Sequence, residues 1–291
     1  MISGTGDVNL DPTFVRSFPS KGYEYAWSGL DGVLNQDDLT VVNLECAASD
    51  LGTPWNKPWT FRCDPEALPS MADAGVDVAN LANNHSIDFG FEAMLDARAN
   101  LEAVGISPVG AGETPADAYA PVLVEHKGWT IAILGGGGVH PETGSWIVTD
   151  ERPGMTDGDS EEAMTAAIRA ADEIADLVLV TIHWGEQGTT EPRAFEIGLA
   201  EAFIDAGADG VTVAGNWIGT TGTGSTGVGN SNTGINVQGA NTIIGGLGAN
   251  DGNVITNNGN EGINVTGVSA TGTIIQGNII GLDPDGSTGS G

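Results

Sequence analysis

The amino-acid sequence predicts a layered α/β domain over residues 1–213, followed by a separate segment of short β-strand repeats over residues 214–291. Two observations predict this division. In the first part, short apolar runs rich in β-branched residues alternate with amphipathic helical stretches. The second part has 21 glycines and 12 asparagines among its 78 residues and contains neither lysine nor arginine. So abrupt a change in composition is not expected within one globular domain.

Five apolar runs in the first part have the length and composition of buried β-strands. Each is short and rich in Val, Ile and Leu, which is typical of strands that are covered on both faces. A further, very short strand is expected before Gly6. The five runs are residues 39–44, 76–81, 130–134, 177–182 and 210–213.

Three amphipathic helices are predicted between these strands. Residues 91–104 place apolar side chains at helical spacing. Residues 160–175 begin with Ser160, a favourable N-cap, followed by two acids in the first turn, where negative charge interacts well with the helix dipole. Residues 192–206 begin with a proline, which the first turn of a helix allows. The alternation of strands and helices predicts a layered sheet domain.

The second part contains internal repeats. Residues 215–219 (Gly-Asn-Trp-Ile-Gly) return as residues 277–281 (Gly-Asn-Ile-Ile-Gly), and Gly-Ile-Asn-Val occurs at both 234–237 and 262–265. Glycine and asparagine accept the left-handed backbone that tight corners need. The pattern resembles the stacked rungs of parallel β-helices, so a short right-handed parallel β-helix fragment is predicted. A disordered low-complexity linker is the alternative interpretation.

The charge of the chain restricts its partners. Its formal net charge is −30, from 39 acidic and 9 basic residues. Such a charge repels nucleic acid and anionic membranes, and it is typical of a solvated surface or of a site that gathers cations. No stretch reaches the roughly 18 apolar residues of a membrane span, and no signal peptide is visible. Cys46 and Cys63 either form a disulfide or lie buried as thiols.

Polar side chains come at or just after the carboxyl ends of apolar runs at four places. Asp7 follows Gly6, Glu45 and Asn84 follow the next two strands, and His183 follows the strand predicted at 177–182. Because such strand ends share one edge in an open α/β sheet, these residues are expected to converge. Carboxylate, amide and imidazole donors suit Mn, Zn or Fe, and two such ions can clamp a phosphoester. His85 is predicted to act as a general acid.

These segments resemble the bacterial poly-γ-glutamate capsule synthesis family of the CapA/PgsA type over residues 5–213. The order and approximate spacing of Gly6-Asp7, Asn43-Leu44-Glu45, residues 83–90 and His183-Trp184-Gly185 are similar to those of the family. The resemblance implies a calcineurin-like metallophosphatase sandwich, two β-sheets flanked by helices. It also implies that Asp7, Glu45, Asn84 and His183 are metal ligands, that His85 is the acid, and that the protein is extracytoplasmic.

The sequence departs from the family pattern after residue 209. The family continues into a Gly-His-His-Pro-His cluster that supplies the last metal ligands, whereas this sequence has no histidine after His183. The resemblance therefore implies an incomplete sandwich and a binuclear site that lacks part of its ligand shell. A truncation, a gene fusion or an assembly artefact near residue 214 is expected.

Several other candidates have weaker support. His126 lies beside a predicted hairpin turn, and His140 precedes a proline in a loop. The glycines at 135–138 lack the Lys-Ser/Thr of a P-loop and are interpreted as a flexible strand-end loop. Asp7 and Glu45 could alternatively be glycosidase carboxylates.

Three hypotheses for the function are consistent with the sequence. The first is capsule biosynthesis at a metal-dependent phosphoesterase-like site with a phosphoester or polyanionic substrate. The second is a non-enzymatic surface module that binds a polymer through its repeats, and the third is a fused product without a function of its own. The sequence does not indicate the oligomeric state.

Overall fold

A computed structural model describes most of the first part of the chain and short pieces of the second. The chain divides into two compact units, Met1–Ala208 and Asp209–Gly291. The residues described are 2–30, 32–138, 145–185, 193–209, 212–213, 217–218, 235–237, 243–245, 254–255, 260–267, 270–276 and 278–280.

The first unit contains two main β-sheets. Its strands are β1 (Ile2–Val8), β2 (Leu39–Leu44), β3 (Ala47–Ala48), β4 (Arg62–Cys63), β5 (Val78–Asn80), β6 (Ser107–Val109), β7 (Ala111–Gly112), β8 (Val122–His126), β9 (Trp129–Gly137), β10 (Gly154–Met155) and β11 (Leu177–His183). The first main sheet is parallel, with strand order β1-β2-β5-β6. The second has the order β11-β9-β8, in which β11 and β9 are parallel and β8 and β9 antiparallel. Two short pairs, β3-β4 and β10-β7, complete the unit.

Helices cover the outer faces of the two main sheets. They are α1 (Phe18–Lys21), α2 (Leu68–Asp73), α3 (Phe91–Ala103), α4 (Pro115–Ala118), α5 (Glu161–Asp172) and α6 (Ala194–Asp205). Short 3₁₀ turns lie at Tyr23–Ala26, Val33–Gln36 and Pro65–Ala67. The longest of these helices has 13 residues, and no helix in the described part of the chain is long and apolar enough to cross a membrane.

Alternating side chains build three apolar layers. On β2, Val41 joins a central cluster between the two sheets, whereas Val42 packs towards α2 and α3. On β9, Ile133 joins the same central cluster, whereas Leu134 packs towards α5 and α6. This alternation is the period-two pattern of strands whose two faces are both buried. The first unit is therefore a mixed α/β domain with helix, sheet, sheet and helix layers.

Most predicted elements of the first unit are observed, several with shifted ends. The strand predicted at 210–213 was wrongly assigned to this unit, because Thr212–Val213 belongs to the second unit and pairs with a strand there. The strand predicted at 76–81 is shortened to Val78–Asn80, and the one at 130–134 extends to Trp129–Gly137. The hydroxyl of Ser160 accepts a bond from the Ala163 amide at 3.3 Å, which confirms the predicted cap of α5. The predicted proline start of the last helix lies outside the described residues.

Two local predictions were wrong. Asp7 does not follow the first strand, because β1 continues through it to Val8. The glycines at 135–138 are not a flexible loop, because the first three lie within β9. A Cβ atom on Gly135 would lie 2.5 Å from the side-chain oxygen of Asn80, and one on Gly137 would lie 2.4 Å from the Ala82 carbonyl oxygen. These glycines therefore let the chain segments approach closely.

The second unit contains eight short strands in the described residues. They are β12 (Thr212–Val213), β13 (Trp217–Ile218), β14 (Ile235–Val237), β15 (Ile243–Gly245), β16 (Val254–Ile255), β17 (Ile263–Val265), β18 (Ile274–Gln276) and β19 (Ile279–Ile280). All of their pairings are parallel, with strand orders β12-β15-β18, β13-β16-β19 and β14-β17. Val237, Ile244 and Ile255 form its small buried cluster.

Candidate metal and acid–base site

The five predicted site residues lie at one edge of the two main sheets. Asp7 on β1 pairs in register with Asn43 on β2, and the backbone amide of Glu45, just past β2, bonds to the Val8 carbonyl at 2.9 Å. Asn84 and His85 lie in the turn that follows β5. His183 is the last residue of β11. The edge thus receives residues from both sheets.

The imidazole of His183 contacts all three of the other predicted ligands. Its Nδ1 atom lies 3.2 Å from Asp7 Oδ1. Its Nε2 atom lies 2.9 Å from Asn84 Oδ1 and 3.7 Å from Glu45 Oε1. These contacts bring together residues that are separated by up to 176 positions in the sequence. The structure therefore gathers two carboxylates and an amide around one imidazole.

Asn43 connects the parts of this edge through a buried side chain. Its amide nitrogen lies 2.7 Å from Asp7 Oδ1 and 3.1 Å from His183 Nδ1. Its oxygen accepts a hydrogen bond from the Asn83 side chain at 3.1 Å, and the Asn80 amide nitrogen lies 3.5 Å away. Buried polar groups that are fully bonded fix one arrangement of a core. Asn43 therefore sets the positions of Asp7 and His183 relative to the turn after β5.

His85 has a different environment from His183. Its Nδ1 atom lies 2.7 Å from Asp88 Oδ2, and Asp88 is fully buried. The Phe61 ring stacks on the imidazole with a centroid distance of 4.2 Å. Since an ionised carboxylate only accepts hydrogen bonds, Nδ1 carries the hydrogen, and Nε2 is left facing Glu45 Oε1 at 3.9 Å. The Asp88 carboxylate and the Phe61 ring therefore fix the orientation of the His85 imidazole.

The two carboxylates of the site have opposite pKa shifts. The hydrogen bond from His183 is the main reason that the pKa of Asp7 is lowered, against the opposing effect of burial. Burial raises the pKa of Glu45, and the nearby negative charge of Asp7 raises it further. Asp7 therefore ionises before Glu45. Carboxyl groups with divergent pKa values are frequent at functional sites.

The donor chemistry of the site fits a divalent ion. Two carboxylates, an amide oxygen and an imidazole nitrogen are ligands for Mn, Zn or Fe. Within the described ranges, no group of three or more His, Cys, Asp and Glu side chains surrounds a single ion position. The His183 ring instead lies between Asp7 on one side and Asn84 and Glu45 on the other. The potential metal-ligand atoms that face one another are the side-chain oxygens of Glu45 and Asn84 and the Nε2 atom of His183.

The other histidine candidates lie elsewhere. His126 ends β8, and its Nε2 atom lies 3.0 Å from Asp38 in an ion pair that Lys127 shares. Lys127 and Gly128 both have positive φ angles, which confirms the predicted hairpin turn there. His140 lies outside the described residues.

Cys46 and Cys63 form a disulfide, and both are fully buried. The sequence left the disulfide and the reduced pair open. Cys46 directly follows Glu45, so the bond ties the end of β2 to β4 beside the site.

Three residues of the site were missed by sequence reasoning. Asn43 and Asp88 lie within the motifs that suggested the family, but neither was assigned a role. A polar residue in the otherwise apolar run of β2 was the available signal for Asn43. Lys57 lies in a Pro- and Trp-rich segment without a recognised motif, and no local pattern indicated that it is buried.

Comparison with known proteins identifies a family that the first part of the chain matches. Residues 1–215 match the family described as Bacterial capsule synthesis protein PGA_cap. A probable polyglutamine synthesis accessory protein of Mycobacterium tuberculosis is 29% identical over 225 residues, which cover 72% of this chain and 58% of that protein. The PGA biosynthesis protein CapA of Bacillus subtilis is 32% identical over 210 residues, covering 71% of this chain and 54% of the relative.

The chain spans somewhat more than half the length of these two relatives. Among solved structures, a phosphatase of Mycoplasma pneumoniae aligns with a TM-score of 0.42 and 14% identity, covering 76% of this chain and 68% of that chain. A structural likeness at this level carries no functional argument.

Proposed function

Because the chain belongs to the family described as Bacterial capsule synthesis protein PGA_cap, we propose that its first unit serves capsule or poly-γ-glutamate biosynthesis through a metal-dependent, phosphoesterase-like site. The observation that carries the proposal is the meeting of Asp7, Glu45, Asn84 and His183 at one sheet edge, with His85 beside them. Within this proposal, the first unit has an incomplete metallophosphatase-type sandwich architecture.

Asp7, Glu45, Asn84 and His183 would hold one or two Mn, Zn or Fe ions. When bound, such ions stabilise the negative charge that develops on a phosphoester and lower the pKa of bound water. Asn43 orients His183 and Asp7 from below the site. The depressed pKa of Asp7 keeps this carboxylate ionised and ready to bind a cation.

His85 would act as the general acid that protonates the leaving group. Its Nδ1 atom is engaged by Asp88, so its exchangeable position is Nε2, which faces Glu45 at the site. Proton transfer to a leaving group is favoured by an imidazole that is held in a fixed orientation within reach of the substrate. The contacts with Asp88 and Phe61 supply that fixed orientation.

The substrate class we propose is a phosphoester or a polyanionic polymer related to poly-γ-glutamate. The names of the two relatives, which refer to polyglutamine synthesis and PGA biosynthesis, support the proposal of a polymer substrate. The net charge of −30 would repel a polyanion. Bound divalent ions would provide the local positive charge that such a substrate needs.

For the second unit, we propose a short right-handed parallel β-helix fragment. The sequence predicted its start at residue 214, but its first ladder already includes β12 at Thr212–Val213. The recurrence of β12, β15 and β18 in one parallel ladder, and of β13, β16 and β19 in another, supports stacked rungs. Each strand of the first ladder begins 31 residues after the previous one, at positions 212, 243 and 274. Such regular spacing is typical of a solenoid.

Hydrolysis of bis(p-nitrophenyl) phosphate, measured with Mn²⁺, Zn²⁺ or Fe²⁺, tests the function. We expect metal-dependent turnover in the wild type and a loss of at least about a hundredfold in His183→Ala and Asp7→Ala, which remove proposed ligands. His126→Ala is the matched control, because it removes an imidazole–carboxylate contact with Asp38, which precedes β2, whereas the site lies past the other end of that strand. A purified protein that binds no metal and has no activity would contradict the proposal.

A further inference from the structure

Lys57 is a buried charged residue that the proposed chemistry does not use. Only 5% of its side chain is exposed, and its Nζ atom lies 2.6 Å from Asp88 Oδ1. The same atom donates a hydrogen bond to the Asn84 carbonyl oxygen at 2.5 Å and lies 3.5 Å from His85 Nδ1. Lysine is seldom buried to this extent unless it is paired. One ammonium group therefore contacts a proposed metal ligand and the partner of the proposed acid.

The segment that carries Lys57 is attached to Asp88 at three points. The Trp55 amide bonds to the Asp88 carbonyl at 2.6 Å, Lys57 pairs with Oδ1, and the Phe61 amide bonds to Oδ2 at 2.7 Å. Asp88 Oδ2 is also the atom that receives the His85 ring. The segment between β3 and β4 thus reaches the proposed acid through a single carboxylate.

The contacts of this segment fix the His85 ring in two directions. Phe61 covers one face of the imidazole, and Asp88 holds its Nδ1 edge. Both depend on residues 55–61 staying in place, and Lys57 supplies the charge that balances Asp88. A buried carboxylate without its counter-charge is strongly unfavourable and tends to draw in water or change its position.

We propose that Lys57 is a positioning residue of the site, which holds the Asn84 backbone and the Asp88 carboxylate so that His85 presents Nε2 to Glu45. This inference rests on the proposed function, since it concerns the same site. Lys57 acts through Asn84 and Asp88 and is not itself a catalytic residue. Removal of comparable supporting contacts around metal sites lowers metal affinity or activity about tenfold to a hundredfold.

The test compares Lys57→Met, which keeps the length of the side chain, with Lys57→Arg, which keeps the charge. Lys127→Met is the matched control, because Lys127 also pairs with an aspartate but is 67% exposed. Mn²⁺ affinity is measured by calorimetry, and hydrolysis of bis(p-nitrophenyl) phosphate is measured at saturating Mn²⁺. We expect Lys57→Met to bind Mn²⁺ about tenfold to a hundredfold more weakly, with a lower kcat and little change in KM. Lys57→Arg should restore much of both, and Lys127→Met should match the wild type.

A second readout does not depend on activity. The chain has four histidines, so their ring signals can be assigned in ¹⁵N NMR spectra with single His→Gln variants. The wild type should show a slowly exchanging His85 ring N–H, because this hydrogen is bonded to Asp88 in a buried position. The signal should be lost in Lys57→Met and kept in Lys57→Arg and Lys127→Met.

The inference would be overturned if the Lys57→Met variant kept both the wild-type His85 ring N–H signal and the wild-type Mn²⁺ affinity. If Lys57→Met does not fold, the double variant Lys57→Met/Asp88→Asn replaces it, because it removes both charges of the pair. Wild-type Mn²⁺ affinity and kcat in this double variant would also overturn the inference, whereas a greater loss than in Asp88→Asn alone would support it. A wild type without metal binding or hydrolysis defeats the proposed function, whereas the NMR comparison still decides whether Lys57 positions His85.

Discussion

The two histidines of the site differ in what surrounds them. His85 is held by a buried ion pair, with Asp88 on its Nδ1 atom, Lys57 behind Asp88 and Phe61 against its face. His183 contacts the Asp7 carboxylate and the Asn43 amide on one side of its ring and the Asn84 amide on the other. The charged, enclosed setting fixes the orientation of the His85 ring, whereas the partly exposed setting of His183 suits its proposed role as a metal ligand.

The largest expected effect comes from breaking the ion pair on the His85 side. Asp88→Asn leaves Lys57 buried without a counter-charge, and we expect a loss of about 3–5 kcal/mol in the free energy of unfolding. Urea denaturation of the metal-free protein measures this loss. Asp117→Asn is the control, because the Asp117 side chain in the Arg98–Asp117 pair is 40% exposed and should contribute no more than about 1 kcal/mol. Equal effects of the two substitutions would contradict the difference between a buried and an exposed pair.

A smaller effect is expected on the His183 side. Asn43→Ala removes the bond to Asp7, the contact with His183 and one of the two acceptors of the Asn83 amide, which should destabilise the protein by about 1–3 kcal/mol. The same variant should bind Mn²⁺ at least about tenfold more weakly, because two proposed ligands lose their orientation. Calorimetry and urea denaturation measure the two effects. Unchanged Mn²⁺ affinity would show that Asn43 supports only the fold.

The smallest effect is a pH dependence. The pKa of Asp7 is lowered, chiefly by its hydrogen bond with His183, so ionised Asp7 stabilises the folded protein above the ordinary carboxyl pKa. This contribution is lost as the pH falls through the lowered pKa. In metal-free protein, Asp7→Asn should therefore be more destabilising at pH 7 than at pH 3, as measured by urea denaturation at both values. An equal effect at both pH values would contradict this assignment.

Much of the site could be predicted because strand ends are visible in the sequence. The apolar runs before Glu45 and His183 predicted buried strands, and the rule that parallel strand ends share an edge brought their polar neighbours together. The bond between Cys46 and Cys63 could not be predicted, because the pairing depends on a distance that only the fold determines.

The rest of the site depends on long-range packing. Lys57 lies 31 positions before Asp88, and the pair forms only because residues 51–61 fold back over the turn after β5.

The sequence pattern wrongly predicted a loop at glycines 135–137, because glycine weakens a strand pattern. Their place in β9 is explained by the close approach of Asn80 and Ala82, which a single-sequence pattern cannot show.

The proposed metal site is tested most directly by a crystal of the protein grown with Zn²⁺ and measured at the zinc absorption edge. We expect anomalous density at about 2.0–2.2 Å from His183 Nε2 and from oxygens of Glu45 or Asn84. Absence of density there at saturating Zn²⁺, or an ion bound only by other residues, would contradict the claim that these strand-end residues form a metal site.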